Sequence, residues 1–143
     1  MLHTHSCVWI HLIWATKNRE RVLFKNQGKQ LFDHLIHKGK ELGNPFEKLT
    51  IQPEHVHALI NLPTDQTLKD FMNKIKGGSS YWLNKEVFQS KFSWQRGYGA
   101  YSVSASQLET VKNYIDNQPE HHQCLTFTQE YQRWKREYGI FED

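Results

Sequence analysis

The stretch FEKLTIQPEHVHALINL, residues 46–62, decides the fold. Two strand-like runs, FEKLTIQ and HVHALINL, flank Pro53-Glu54, a pattern that predicts a β-hairpin. Side chains alternate along a strand, so Val56, Ala58 and Ile60 share one face and His55 and His57 the other. The apolar set is the one expected to meet helices. Both imidazoles then face outward on the open side of a central strand, about 6 to 7 Å apart along the chain, within reach of one divalent ion. A bare His-x-His pair also fits histidines that only hydrogen-bond on a half-exposed sheet.

Working outward, VWIHLIWATK (8–17) is β-branched and aromatic and ends in a polar cluster, which predicts an earlier strand. Between it and the hairpin, Leu31, Leu35, Ile36 and Leu42 fall near helical spacing from about Lys29, and Gly43-Asn44-Pro45 stops them. After the hairpin, Thr67 and Asp70 predict a helix start, and Leu68, Phe71, Met72 and Ile75 mark one helical face. That helix runs into KGGSS (76–80), where two glycines cost about 1 kcal/mol each relative to alanine. Close approach of another backbone accounts for them, and so does a loop or helix break. GYGAYSVSA (97–105) reads as a further strand. Ser106 with Glu109 reads as a capping box opening SQLETVKNYIDNQ, and a last helix is expected over roughly 128–138.

The first six elements run strand, helix, strand, strand, helix, strand. This order predicts an α+β fold: a ferredoxin-like βαββαβ sheet with helices on one face, plus C-terminal helices. The other sheet face is expected to stay free for a ligand. With 143 residues and 38% hydrophobic content, the chain has the size of one domain over 1–143, large enough to bury a core without disulfides or metal staples. Cys7 and Cys124 form no framework, which fits a reducing compartment, and cytoplasm is the expected location. The nine-residue apolar run CVWIHLIWA is too short to span a bilayer, and MLHTHS before it lacks a positive signal-peptide start.

Net charge is only +3, but it is unevenly placed. Residues 1–29 carry five Lys/Arg against one acid, and residues 66–103 six against two. Trp9 and Trp14 lie in the first segment, and Tyr81, Trp82, Trp94, Tyr98 and Tyr101 in the second. Cations beside flat rings suit a single-stranded nucleic-acid groove. Solvated lysines and core aromatics account for the same composition.

In the helix after the fourth strand, Leu108, Val111 and Ile115 make the apolar stripe, with Tyr114 and Gln118 together on its edge. A hydroxyl nucleophile and a metal-binding amide oxygen one turn apart can serve one target. A phenol, with a pKa near 10, needs a metal or cation to stabilise its phenolate. A tyrosine packing its ring on a helix edge is the plainer alternative.

Four stretches in order, EHVHALINLP, IKGGSS, FSWQRGYGAYSVS and VKNYIDNQPEHH, resemble the HUH single-tyrosine transposases of small bacterial insertion sequences and their domesticated relatives, the REP-associated tyrosine transposases. The resemblance runs from IHLIWATKNR to about residue 140. It implies a Mg²⁺- or Mn²⁺-dependent strand transferase acting on single-stranded hairpin DNA, working as a homodimer. His55 and His57 match the metal-ligating histidines, Tyr114 the nucleophile that forms a 5′-phosphotyrosine and frees a 3′-hydroxyl, and Gln118 the residue completing the metal site. In such dimers the tyrosine helix can dock against the histidines of the other subunit.

Lys17, Arg19, Lys76, Trp94 and Arg96 are the candidate DNA contacts, each cation with the alternative of an ordinary exposed charge. Glu54 either orients the His55 imidazole or serves as a turn residue. His121 and His122 read as charges at a helix C-terminus. Pro119 biases Gln118 away from helical geometry and so away from a metal. Two other functions compete: a domesticated, non-catalytic single-stranded nucleic-acid-binding module, and a metallohydrolase using an activated water, for which Tyr114 is dispensable.

Overall fold

The computed structural model describes residues 4–89 and 91–118, together with 132, 133 and 136. Strand β1 (Trp9–Ala15) is followed by helix α1 (Lys25–Glu41), β2 (Phe46–Ile51), β3 (His55–Asn61), α2 (Leu68–Trp82), β4 (Gly99–Val103) and α3 (Leu108–Asp116). The strands form one antiparallel sheet in the order β2-β3-β1-β4. This is the ferredoxin-like arrangement, and β3 is central as the hairpin pattern requires.

The hairpin closes tightly, with Gln52 N–H donating to the His55 carbonyl at 2.8 Å. Helix α1 begins a turn earlier than its apolar spacing predicts and ends at Gly43, whose φ of 73° is left-handed and favours glycine. Thr67 caps α2 as expected, its hydroxyl accepting from Asp70 N–H at 3.1 Å. The predicted Ser106–Glu109 box does not form. A 3₁₀ turn over Ala105–Gln107 moves the start of α3 to Leu108, and the Ser106 hydroxyl instead meets that of Ser104.

Helix α2 passes through Gly77 and Gly78 unbroken and tightens no turn there, so the helix-break reading falls. It continues into a π-helical turn over Leu83–Phe88. A Cβ on either glycine would meet nothing within 4 Å. Their absence of side chains therefore serves no packing among the described residues.

The main core lies between the sheet and α1 and α2. Ile10, Leu12, Trp14, Val56, Ala58 and Ile60 supply the sheet side, meeting Leu31, Leu35, Phe71, Met72 and Ile75. Each fully buried Leu or Ile contributes about 1.5 to 3 kcal/mol relative to exposure. The opposite face is not free, which corrects the expectation of an open sheet. Helix α3 lies on it, and Val111 and Ile115 join Leu59 and Val103 in a second cluster flanked by Trp9, Leu108 and Tyr114. A sheet face bearing Leu59 and Val103 is partly apolar, so burying it gains free energy even where histidines share it.

Three contacts from β2 pin α3. Thr50 donates its hydroxyl to the Ile115 carbonyl at 2.7 Å, Lys48 pairs with Asp116 at 2.8 Å, and Lys112 with Glu47 at 3.2 Å. The predicted last helix and the positions of Pro119, His121, His122 and Cys124 lie outside the described residues, save for Gln132, Arg133 and Arg136, which are helical and exposed.

Candidate active site

Histidine burial defines the site. His55 and His57 are 0% and 1% exposed, on the sheet face against which α3 packs. Tyr114, on α3, sets its ring edge-on to His57, centroids 5.7 Å apart, and to His11 at 6.2 Å. The tyrosine and the His-x-His pair, 57 positions apart in the chain between Tyr114 and His57, thus meet within one molecule.

Each histidine of the pair has its Nδ1 engaged. His55 Nδ1 lies 2.9 Å from Glu54 Oε1, and the other Glu54 oxygen accepts from Arg21 at 2.7 Å. His57 Nδ1 lies 2.9 Å from His11 Nε2. His11 is fully buried, and burial pushes its pKa down to about 3, so its ring is neutral at ordinary pH. In each ring of the pair, Nε2 is then the nitrogen suited to a further ligand.

Gln118 follows α3 and is fully buried, its amide Nε2 donating to the Tyr114 carbonyl at 3.4 Å. Its Oε1 is buried with no hydrogen-bond partner. A buried amide oxygen in that state costs about 1 to 3 kcal/mol unless something binds it. Among the described residues no group of three or more His, Cys, Asp or Glu could hold a metal. Two imidazoles and an amide oxygen are nevertheless borderline-to-hard donors suited to a divalent ion that keeps positions for substrate oxygens. The donor chemistry and the orphaned Gln118 oxygen fit such an ion.

The candidate DNA residues separate by environment. Lys17 and Arg19 are exposed on a turn in which Asn18 and Arg19 have φ of 57° and 54°. This turn belongs to a segment that grips the hairpin tip. Thr16 donates from both N–H and hydroxyl to the Glu54 carbonyl, and the Val22 and Leu23 amides donate to Pro53. The same segment holds the loop before β4: Lys17 N–H donates to Ser93, Gln95 N–H to Ala15, and Asn18 N–H to the Gln95 side chain. A cleft of about 310 Å³ beside it brings Lys17, Asn18 and Lys91 together.

Lys76 donates to the carbonyls of Gln95 and Gly97 at 2.8 and 2.6 Å, and burial lowers its pKa. It braces the loop that carries Arg96, which is exposed. Trp94 is buried, its indole N–H donating to Ser79 and its ring edge-on to Trp14. Among the described residues of the basic segments, the rings that face solvent most are Tyr81, 68% exposed, Phe24, 54% exposed, and Tyr98, 38% exposed.

Sequence reasoning passed over His11, Arg21 and Lys91. A signal for His11 existed: it sits out of phase with Ile10, Leu12 and Trp14, hence on the face opposite the main core.

A histidine pair on a ferredoxin-like sheet under a tyrosine-bearing helix places the molecule among the single-tyrosine transposase folds. The family model described as "Transposase IS200 like" matches residues 4–118, and the chain belongs to that family. It is 29% identical over 114 residues to the ISDra2 transposase TnpA of Deinococcus radiodurans, covering 76% of this chain and 81% of that protein. It is 26% identical over 127 residues to the transposase for insertion sequence element IS200 of Salmonella typhimurium, covering 84% and 82%. A crystal structure of a candidate transposase from Deinococcus radiodurans R1 superposes with a TM-score of 0.68 at 26% identity, covering 82% of this chain and 95% of that one. A REP-associated tyrosine transposase solved with a REP hairpin shares the fold, with a TM-score of 0.64 at 18% identity over 85% of this chain and 72% of that one. No helix among the described residues is long and apolar enough to cross a membrane.

Proposed function

We propose that this chain is a divalent-metal-dependent transposase of single-stranded DNA with Tyr114 as its nucleophile. The observation that carries the reading is the meeting of the Tyr114 ring with His57 at 5.7 Å over a fully buried histidine pair. His55 and His57, through Nε2, and Gln118, through Oε1, would hold Mg²⁺ or Mn²⁺. When bound, that ion neutralises and polarises the scissile phosphate.

Tyr114 Oη attacks phosphorus. A bond from phosphorus to the tyrosine oxygen forms, the bond to the 3′ oxygen breaks, and the phenol's proton ends on the departing 3′-hydroxyl. A second strand's 3′-hydroxyl reverses the step and restores the phenol. The phosphodiester energy stays in the covalent link, so no ATP is consumed. Lys17, Arg19 and Arg96 grip phosphates, with Lys76 and Trp94 shaping the loop that presents Arg96, and Tyr81 and Tyr98 offering faces for bases. Hairpin DNA as ligand is supported by the REP-associated neighbour, whose structure holds such a hairpin. The protein works in the cytoplasm as a homodimer, and in this arrangement each tyrosine starts on the histidines of its own chain.

Intact-mass measurement after incubation with Mn²⁺ and hairpin-flanked single-stranded DNA tests the reading. A DNA adduct on Tyr114, absent from Tyr114→Phe and His57→Ala, is the expected result. Hairpin binding without any adduct would return the chain to a non-catalytic binding module, and cleavage surviving in Tyr114→Phe would make it a hydrolase.

A further inference from the structure

Among the described residues, His11 makes a buried contact with the histidine pair that the strand-transfer chemistry above does not use. His11 lies on β1 opposite Leu59, while His57 lies opposite Ile13, so the two imidazoles are diagonal neighbours on one face of adjacent strands. Their rings are 5.1 Å apart and tilted by 32°, with His11 Nε2 2.9 Å from His57 Nδ1. Both residues are buried, so the contact is not exchanged for water.

One hydrogen lies between those two nitrogens, and its position decides what His57 can do. If His11 Nε2–H donates, neutral His57 must carry its own proton on Nε2, and that nitrogen has no lone pair for a metal. If His57 Nδ1–H donates to the His11 Nε2 lone pair, the Nε2 lone pair of His57 is available and His11 carries its proton on Nδ1. Only the second arrangement suits coordination.

We infer that His11 is the positioning residue of His57: its Nε2 accepts the His57 Nδ1 proton, locking the ring in the tautomer and orientation that present Nε2 to a divalent cation. The inference rests on the metal reading above. The two histidines of the pair are then oriented by different chemistry, His55 by the Glu54 carboxylate and His57 by a neutral imidazole. A carboxylate beside His57 would add a second buried anion. An imidazole supplies the acceptor without one.

Two variants of the full chain test it. His11→Gln places an amide oxygen near the position of Nε2 and keeps an acceptor, whereas His11→Leu keeps volume and removes it. Mn²⁺ affinity, followed through the electron paramagnetic resonance of free ion, is expected to fall roughly 10-fold to 100-fold in His11→Leu and to recover in His11→Gln. Wild-type affinity in His11→Leu would overturn the inference and leave His11 a packing residue, provided His57→Ala loses binding. If His57→Ala and wild type behave alike toward Mn²⁺, the metal reading itself fails and the inference with it. Should His11→Leu not fold, ¹⁵N spectra of the wild-type histidine rings with Mg²⁺ decide: a proton on His57 Nδ1 supports the assignment, and one on Nε2 overturns it.

Discussion

Glu54 and His55, adjacent in sequence, also meet through their side chains at 2.9 Å, although neighbours in a strand ordinarily point to opposite faces. They do so because Glu54 belongs to the hairpin turn and only His55 begins β3. Glu54 is nearly fully buried, and its second oxygen is tied to Arg21, whose side chain is 60% exposed. Glu54→Gln keeps the shape and removes the charge that makes His55 a better donor. Mn²⁺ affinity is expected to fall roughly 10-fold or more, measured by titration against His55→Ala. Unchanged affinity would make Glu54 a turn residue only.

Gly77 and Gly78 sit in a continuous helix with open space where a Cβ would go. Replacing either with alanine should stabilise the protein by up to about 1 kcal/mol, read as a raised urea midpoint. A stabilised variant that loses hairpin affinity assigns the bare turn to DNA, since the fold itself gains from the added methyl.

The hold of β2 on α3 is testable by Thr50→Val, which removes the hydroxyl bound to the Ile115 carbonyl. The loss is expected to be about 1 kcal/mol. Hydrogen exchange should quicken in α3 while the amides shared by β1 and β3 stay protected. Equal quickening of both would mean that α3 and the sheet open as one unit.

His34 stacks on Trp82, ring centroids 4.2 Å apart, and burial followed by Lys38 and His37 holds its pKa below the ordinary value, with Glu41 opposing. The folded state therefore resists protonation more than the unfolded chain does. This contribution is complete above about pH 6.5 and is lost as pH falls below it. Urea midpoints at successive pH values should decline more steeply for wild type than for His34→Phe, which keeps a stacked ring and cannot titrate.

The hairpin, the strand faces and the apolar stripe of α3 were legible because each follows from local periodicity and from Pro53-Glu54. Where α3 docks was not, since an amphipathic helix declares that it has a buried side and not which surface receives it. That single placement sets a helix against the histidine face expected to be open. Trp94 and Lys76 show the same limit: an aromatic and a cation in a basic stretch look alike whether they meet solvent, a Ser79 hydroxyl or loop carbonyls. His11 needed the register between β1 and β3, in which a residue 46 positions away becomes a neighbour.

The segment from Thr16 to Leu23 is hydrogen-bonded on one side to the hairpin tip and on the other to the loop carrying Arg96. Cations at Lys17, Arg19 and Arg96 are thereby fastened to the same frame as His55. In the strand-transfer reading this makes the frame a ruler: the interval between the gripped phosphates and the cut is set by protein backbone, in nucleotides counted from a fixed grip. Changing the base sequence between those two points should leave that interval unaltered.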